Sequence, residues 1–214
     1  ILKFNQLGVD LIQRLKKEPL RSFSLSEKEF LENLAEIGVI NSAPEKVPRH
    51  MHPPKPRPSR TMLLLSDRCN LRCIYCYGAS DNTGELMSLE LAKAVVDLLI
   101  SNSKKNKSSF ISLGFHGGGE PTMNWDVLTA VVVYAENRCK EDDINLRTAI
   151  CTNGIITEKQ AHWLAKHIKS ITVSIDGPPE IQNLQRPLAN GGASFEYVAR
   201  TIDTFNSLQK PFVF

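Results

Sequence analysis

A regular alternation of short apolar segments with longer amphipathic segments, between residues 61 and 214, most constrains what this chain can fold into. In the short segments apolar residues often alternate with polar ones, which is the period of a strand, whereas the longer segments have helical spacing. Strands are predicted at 62–65, 111–115, 146–152, 171–175 and 211–214. Strands that alternate with helices predict an α/β fold with a parallel sheet and right-handed crossovers, either an open sheet or a barrel.

Capping residues predict where the intervening helices begin. Ser88, Asn124 and Ser194 each stand just before a helical segment, and Thr157 forms a capping box with Gln160. The chain ends within the fifth strand. We therefore expect about four and a half strand–helix units.

Residues 1–42 form a separate helical segment in this prediction. Apolar residues recur at helical spacing across 7–15, and a second helix is expected from Ser26, where Glu29 completes a capping box, to Gly38. Two short helices bury little apolar surface, so we expect them to dock on something else. Residues 43–60 are rich in proline, which disfavours helix and sheet, and predict an extended linker.

Composition excludes several classes of protein. Hydrophobic residues make up 42% of the chain and charged residues 23%, as is typical of a globular protein. A net charge of +3 without a dense basic stripe argues against nucleic acid as a partner. No apolar run reaches the about 18 to 20 residues of a membrane span, so no membrane partner is expected. The chain begins with neither Met nor a signal peptide, so we expect it to start inside a longer protein. Three of its five cysteines lie within eight positions, which is typical of an intracellular metal site and predicts a cytoplasmic location.

Polar and glycine-rich segments follow four of the predicted strands. Ligands bind at the carboxyl ends of the strands in parallel α/β sheets, which is where these segments fall. In the fourth strand, alternation directs Ser174 and Asp176 to the face opposite Ile171 and Val173, toward the open end of the sheet. The four segments are 66–77, 116–121, 151–154 and 174–178.

Cys69, Cys73 and Cys76 follow the first strand with the spacing C-x3-C-x2-C. Thiolates are soft ligands that suit iron–sulfur clusters or zinc. Three thiolates can hold three irons of a [4Fe–4S] cluster and leave the fourth iron open. A structural zinc site requires four protein ligands, and His116 is the candidate for the fourth. The spacing favours the cluster and leaves a zinc-binding module as the alternative.

The segment Cys69-Asn-Leu-Arg-Cys-Ile-Tyr-Cys-Tyr77 resembles the cluster motif of the radical S-adenosylmethionine (SAM) superfamily, including the aromatic Tyr75. The resemblance implies that residues 61–214 form a partial (β/α)6 TIM-like barrel. A full barrel has six strand–helix units, and about four and a half are expected here. The resemblance also implies that the open iron binds the amino and carboxylate groups of SAM. An electron from an external donor would then cleave SAM to a 5′-deoxyadenosyl radical that abstracts hydrogen from a substrate.

The same resemblance implies a set of SAM contacts. Tyr75 is expected near the adenine. The second strand ends in a glycine-rich turn that resembles the family's Gly-Gly-Glu motif, which places Gly118, Gly119 and Glu120 at the amino group of SAM. His116, in the same turn, is interpreted as a hydrogen-bonded barrel residue.

The ends of the third and fourth strands resemble the radical SAM/SPASM group, which includes anaerobic sulfatase maturases and peptide-modifying enzymes. That resemblance implies that Ser174 and Arg186 contact the ribose or the methionyl carboxylate, and that Asn153 lies in the same layer. A surface salt bridge is the alternative for Arg186. Cys139 and Cys151 are interpreted as small apolar residues, and no residue is assigned to acid–base catalysis.

The N-terminal helices suggest a substrate class. They look like the helical half of a winged-helix peptide-recognition domain, which implies a ribosomal precursor peptide whose leader binds there and which receives a thioether crosslink. Oxidation of a cysteine or serine to formylglycine in a sulfatase is the alternative activity. A non-catalytic zinc-binding module is the alternative from a different class.

Overall fold

A computed structural model describes residues 6–40, 56–78 and 84–214. The chain divides into two compact units, Ile1–Pro53 and Pro54–Phe214. Most of the predicted linker, 43–60, lies outside the described residues. The domain boundaries 1–42, 43–60 and 61–214 therefore stay predictions.

The first unit contains two helices, α1 (Gln6–Leu15) and α2 (Leu25–Glu36), with a short 3-10 turn at Leu20–Ser22 between them. Leu11 of α1 packs with Phe23 and Leu31 in a small apolar core. Such a core is small for a free-standing domain.

Helix α2 begins two residues earlier than predicted. Its capping box is formed by Ser24 and Glu27, not by Ser26 and Glu29: the Ser24 N–H donates to the Glu27 carboxylate at 2.7 Å, and the Glu27 N–H donates to Ser24 Oγ at 3.3 Å. Both serine–glutamate pairs satisfy the S-x-x-E pattern. Tertiary contacts favour the first, because Glu27 also pairs with Arg14 at 2.8 Å. Gly38 follows the helix with φ of 72°, as predicted for a C-terminal stop.

The second unit alternates strands and helices along the described chain, and its four strands pair in parallel in the order β1-β2-β3-β4. Val213 forms a parallel bridge with Thr172, so a fifth strand begins where one was predicted. The predicted α/β class and partial TIM-like barrel are confirmed. The elements are β1 (Arg60–Leu63), α3 (Leu89–Asn106), β2 (Phe110–Phe115), α4 (Trp125–Glu141), β3 (Asn145–Thr152), α5 (Glu158–His167), β4 (Ser170–Val173), α6 (Pro179–Gln185) and α7 (Phe195–Ser207).

The core of this unit lies between one face of the sheet and its helices. Ile111, Leu113 and Phe115 of β2 are completely buried, and they pack in one cluster with residues such as Leu99 of α3 and Leu128 of α4. Burial of each such side chain stabilises the fold by about 1.5 to 3 kcal/mol before entropy costs.

The other face of the sheet is more exposed. Met62 and Leu64, which alternate with the buried Leu63 and Leu65, are 50% and 52% exposed. This face and the carboxyl ends of the strands border the cavity described below. The helices thus cover one side of the sheet and leave the other accessible.

Three predicted details of this unit were wrong, namely two strand ends and one helix cap. Strand β4 ends at Val173 and not at residue 175. Strand β1 ends at Leu63 and not at Leu65, because the Leu65 carbonyl leaves the ladder and accepts the Met87 N–H and the Asn124 side-chain amide, each at 2.9 Å. Asn124 consequently does not cap α4 with its side chain.

The other predicted helix starts are confirmed. Ser88 accepts the Leu91 N–H, and Thr157 forms its capping box with Gln160, as expected. Helix α7 begins directly after Ser194, as predicted, although the Ser194 side chain makes no capping hydrogen bond. In the described part of the chain, no helix is both long and apolar enough to cross a membrane.

Candidate functional site

The three cysteines lie in a loop after β1, residues 66–78, called here the cysteine loop. The glycine-rich turn after β2, residues 116–121, joins it by two backbone hydrogen bonds: the Gly119 N–H donates to the Ser66 carbonyl at 2.7 Å, and the Glu120 N–H donates to the Arg68 carbonyl at 2.8 Å. A Cβ atom at Gly119 would lie 2.0 Å from the Arg68 carbonyl oxygen. Only glycine permits this approach.

A second segment, residues 185–189, pairs with the opposite side of the cysteine loop. The Arg72 N–H donates to the Pro187 carbonyl at 2.8 Å, and the Ile74 N–H donates to the Gln185 carbonyl at 2.9 Å. Leu71 and Leu188 form an antiparallel bridge next to the first of these hydrogen bonds, and the Ala189 N–H donates to the Asn70 carbonyl at 2.9 Å on its other side. The loop is therefore held on both sides by backbone contacts that do not depend on a bound metal.

A cavity of about 210 Å³ lies between these segments. Every residue predicted from the sequence as a cluster or SAM contact lines it, although the residues come from four strand ends and from the segment after α6. They are Cys69, Cys73, Cys76, Tyr75, Gly118, Gly119, Glu120, Asn153, Ser174 and Arg186.

The Cys69 thiol lies in a polar, half-buried environment. It accepts the Leu71 N–H at 3.5 Å and the Asn153 side-chain amide at 3.6 Å. Burial raises the pKa of the Cys69 thiol, and the two hydrogen bonds oppose that rise. These N–H donors are placed to stabilise a thiolate, which is the form that binds metal.

Asn153 holds the cysteine loop through its side-chain nitrogen. Its amide nitrogen also donates to Asn70 Oδ1 at 2.7 Å, while its Oδ1 accepts the Ile155 N–H at 2.9 Å. Asn153 is 7% exposed. It lies in the predicted layer of the cavity, but its polar atoms are engaged within the protein.

Glu120, like Asn153, is buried and hydrogen-bonded within the protein. The Glu120 residue is 3% exposed, and its carboxylate accepts four hydrogen bonds. Oε1 accepts the Thr122 N–H and both the Thr122 and Thr152 hydroxyls, and Oε2 accepts the Asn153 N–H. Burial raises the pKa of Glu120, and the hydrogen bonds to the carboxylate oppose that shift. The carboxylate therefore ties the glycine-rich turn to the end of β3.

Tyr75 and Arg186 meet at Asp176. The Tyr75 hydroxyl donates to Asp176 Oδ2 at 2.5 Å, and Arg186 Nε donates to Asp176 Oδ1 at 2.8 Å. The Arg186 guanidinium carbon lies 5.4 Å from the centre of the Tyr75 ring. Burial and the Asp176 hydrogen bond raise the pKa of Tyr75 to about 12. Arg186 does form a salt bridge, but its side chain is only 16% exposed and lines the cavity, so the pair is not on the open surface.

Two further residues that line the cavity differ from their sequence interpretation. Cys151 is half-buried, and its Sγ lies 3.7 Å from Ser174 Oγ, so it is not a core residue. Alternation along β3, with Ile150 and Thr152 buried, could have identified it. His116 is exposed and makes no side-chain hydrogen bond within the described residues, contrary to its interpretation as a hydrogen-bonded residue. Cys139, by contrast, is buried in the core as expected.

The chemistry of the cavity fits a [4Fe–4S] cluster with SAM. Three thiols border one side of the cavity, and backbone amides and glycines border another. The Arg186 cation lies near the Cys73 thiol. Burial raises the pKa of Cys73, and the positive charge of Arg186 opposes that rise. Within the described ranges, no three His, Cys, Asp or Glu side chains converge closely enough to hold a single metal ion.

Comparison with known proteins identifies the superfamily that the cysteine motif resembles. The profile of the Radical SAM superfamily matches residues 63–214. A cysteine-type anaerobic sulfatase-maturating enzyme of Clostridium perfringens is 27% identical over 150 residues, which cover 69% of this chain and 40% of that protein. A probable GTP 3′,8-cyclase of Methanococcus maripaludis is 30% identical over 145 residues, 66% of this chain and 43% of that protein.

A solved structure agrees with these sequence matches. The structure of native anSMEcpe with bound AdoMet and the Cp18Cys peptide superposes with a TM-score of 0.61 at 27% identity, over 72% of this chain and 41% of that one. The chain spans less than half the length of each of these proteins. Members of the matched family use a [4Fe–4S] cluster and SAM, and the residues predicted to bind them line the cavity. The chain belongs to the radical SAM superfamily.

Proposed function

We propose that this chain is the cofactor-binding part of a radical SAM enzyme that abstracts hydrogen from a peptide. The observation that carries the proposal is the convergence of three thiols and seven further predicted SAM contacts on one cavity. When bound, the cluster and SAM supply a 5′-deoxyadenosyl radical, given an electron from an external donor.

The protein's own residues bind and orient the cofactors in this proposal. Cys69, Cys73 and Cys76 hold the cluster. The glycine-rich turn brings backbone groups against SAM, and Arg186 directs its terminal N–H groups toward a carboxylate, for which a planar guanidinium is well suited. Ser174, at the end of β4, supplies a hydroxyl on the same side of the cavity.

A peptide is the substrate class that we favour. The matched sulfatase-maturating enzymes act on proteins, as their name states, and the matched structure contains a peptide. In the first unit, a groove of about 410 Å³ between α1 and α2 is bordered by apolar and charged side chains, among them Leu7, Leu11, Phe30 and Arg14. Leu7 is 78% exposed. This groove supports the proposal that the N-terminal segment binds the leader of a precursor peptide.

The bond that forms is the finer part of the proposal. A precursor peptide would gain a thioether crosslink: one hydrogen atom would pass to the 5′-deoxyadenosyl radical, the thiol would release its proton to solvent, and the remaining electron would pass to an iron–sulfur cluster as acceptor. The second candidate is formylglycine formation, which the sulfatase-maturating relatives favour. A cytoplasmic location is proposed with both activities, because free thiols and an iron–sulfur site suit a reducing compartment.

The test is an anaerobic assay of the iron- and sulfide-reconstituted chain with dithionite, SAM and either the Cp18Cys peptide or GTP. We expect 5′-deoxyadenosine whose formation increases with the peptide, together with a changed peptide mass. Loss of two hydrogens with loss of thiol alkylation indicates a thioether, whereas reaction with an aminooxy probe indicates formylglycine. The Cys76→Ala variant is the control and should be inactive. Turnover that depends on GTP and not on peptide would overturn the proposal.

A further inference from the structure

One carboxylate, that of Asp176, contacts two residues that are expected to face SAM. It accepts the Tyr75 hydroxyl on one oxygen and Arg186 Nε on the other. Because Arg186 uses Nε for this contact, its two terminal nitrogens keep their N–H groups for a ligand. The orientation of the guanidinium in the cavity is thus set by Asp176.

The buried side-chain amide of Gln182 holds Asp176 in place. The Asp176 N–H donates to Gln182 Oε1 at 2.9 Å, and Gln182 Nε2 donates to Ser194 Oγ at 3.3 Å. Gln182 is 0% exposed. A buried amide is costly unless it is hydrogen-bonded, and here both of its ends are bonded. The end of β4, helix α6 and the start of α7 are therefore joined at this point.

Asp176 also links the two backbone segments that surround the cluster site. Tyr75 lies in the cysteine loop, and Arg186 lies in the segment 185–189 that pairs with this loop. The carboxylate adds a side-chain link to that backbone pairing. A displacement of Asp176 would therefore be transmitted to both the adenine side and the carboxylate side of the proposed SAM site.

We propose that Asp176 is a positioning residue that orients Arg186 toward the carboxylate of SAM and Tyr75 toward its adenine, so that the cofactor site is formed before SAM binds. This inference rests on the proposed function, because it takes SAM as the ligand. Asp176 acts through its two partners and does not itself contact SAM. Removal of the carboxylate should weaken SAM binding without release of the cluster.

Measurements of SAM binding to the cluster-loaded chain test the positioning role of Asp176. Residues that orient ligating groups typically contribute about 10- to 100-fold to affinity or activity, so we expect Asp176→Ala to raise the Kd for SAM by about that factor, with unchanged iron and sulfide. Asp176→Asn keeps an acceptor for Arg186 and can donate to the Tyr75 oxygen, so it should recover most of the affinity. The exposed Glu180, in the first turn of α6, gives the control Glu180→Gln, which should bind SAM like the wild type.

A double-mutant cycle tests whether Asp176 acts through Arg186. If it does, the loss of SAM affinity in Asp176→Ala combined with Arg186→Ala should be clearly smaller than the sum of the two single losses, with the remainder due to Tyr75. Additive losses would overturn the proposal. So would an unchanged Kd in Asp176→Ala, or loss of iron in that variant, since iron loss would mean that Asp176 serves the cysteine loop and not SAM.

A readout without cofactors separates this inference from the proposed function. In nitrogen NMR spectra of the cluster-free chain, the Arg186 Nε–H should be protected from exchange in the wild type and in Asp176→Asn, but not in Asp176→Ala. An unprotected Nε–H in the wild type overturns the positioning role. If the wild type takes up the cluster but does not bind SAM, the proposed function fails, and the NMR result still reports whether Asp176 orients Arg186.

Discussion

The carboxylate of Glu120 accepts the backbone N–H of Asn153 at 2.8 Å and so joins the turn after β2 to the end of β3. Three further hydrogen bonds, from Thr122 and Thr152, fill the other carboxylate oxygen. Four donors around one buried group indicate that its first role is to fix the wall of the cavity. The resemblance to the family's Gly-Gly-Glu motif placed Glu120 at the SAM amino group, and the hydrogen bonds add this structural role.

Glu120→Gln should destabilise the fold, because it turns an amide donor toward groups that are themselves donors. A buried polar group left unsatisfied costs about 1 to 3 kcal/mol, and we expect the free energy of unfolding to fall by that amount. Urea unfolding of the cluster-free chain measures it. The exposed Glu180→Gln should stay within about 0.5 kcal/mol of the wild type. Equal stability of both variants would contradict the role assigned to Glu120.

Gly119→Ala should prevent assembly of the cluster site. The added methyl group would lie 2.0 Å from the Arg68 carbonyl oxygen, so the two backbone bonds between the glycine-rich turn and the cysteine loop could not both form. Iron content after anaerobic reconstitution checks this, and we expect a loss of most of the iron.

Gly192→Ala is the matched control for this substitution. Its nearest contact would be the side-chain oxygen of Asn190 at 3.1 Å, which can move away. This variant should keep the wild-type iron content. Full iron uptake by Gly119→Ala would show that the close approach of the two segments is not required.

The location of the site could be predicted from the sequence, but its internal hydrogen bonds could not. The spacing of Cys69, Cys73 and Cys76 and the alternation of strands are local patterns, so they are visible in one segment at a time. Two partners of Glu120, Thr152 and Asn153, are 32 and 33 residues further along the chain, and only the parallel pairing of β2 with β3 brings them to Glu120.

Local ambiguity accounts for the other differences. Ser24 and Ser26 are both followed three residues later by glutamate, and the contact of Glu27 with Arg14 selects the first. Asn124 has the right chemistry for a cap, but its amide finds two carbonyls, those of Leu65 and Met87. In each case a tertiary contact accompanies the option that the structure adopts.

Alkylation of the five cysteines should report which of them bind the cluster. In the cluster-free chain we expect Cys76, which is exposed, to react with iodoacetamide fastest. Cluster assembly should protect Cys69, Cys73 and Cys76, and SAM added afterwards should protect Cys151, which lines the same cavity. Mass spectrometry of the peptides measures each site. Protection of Cys151 by SAM without protection of the other three would contradict the assignment.

Cys139 gives this experiment a pH-dependent internal control. Burial raises its pKa to about 11, so at pH 8 only about one thiol in a thousand is ionised and its alkylation should be slow with or without the cluster. Since the folded-state pKa is raised, its contribution to stability is present below the ordinary value of 9.0 and is lost as the pH rises through about 11. Rapid alkylation of Cys139 at pH 8 would contradict its burial.

The most direct test of the central claim is the EPR spectrum of the anaerobically reconstituted, dithionite-reduced chain, recorded with and without SAM. A cluster held by Cys69, Cys73 and Cys76 with an open iron predicts a reduced [4Fe–4S] signal that changes when SAM is added. The signal should be absent in Cys73→Ala. A cluster signal that is the same with and without SAM, or one equivalent of zinc in place of iron, would contradict the account.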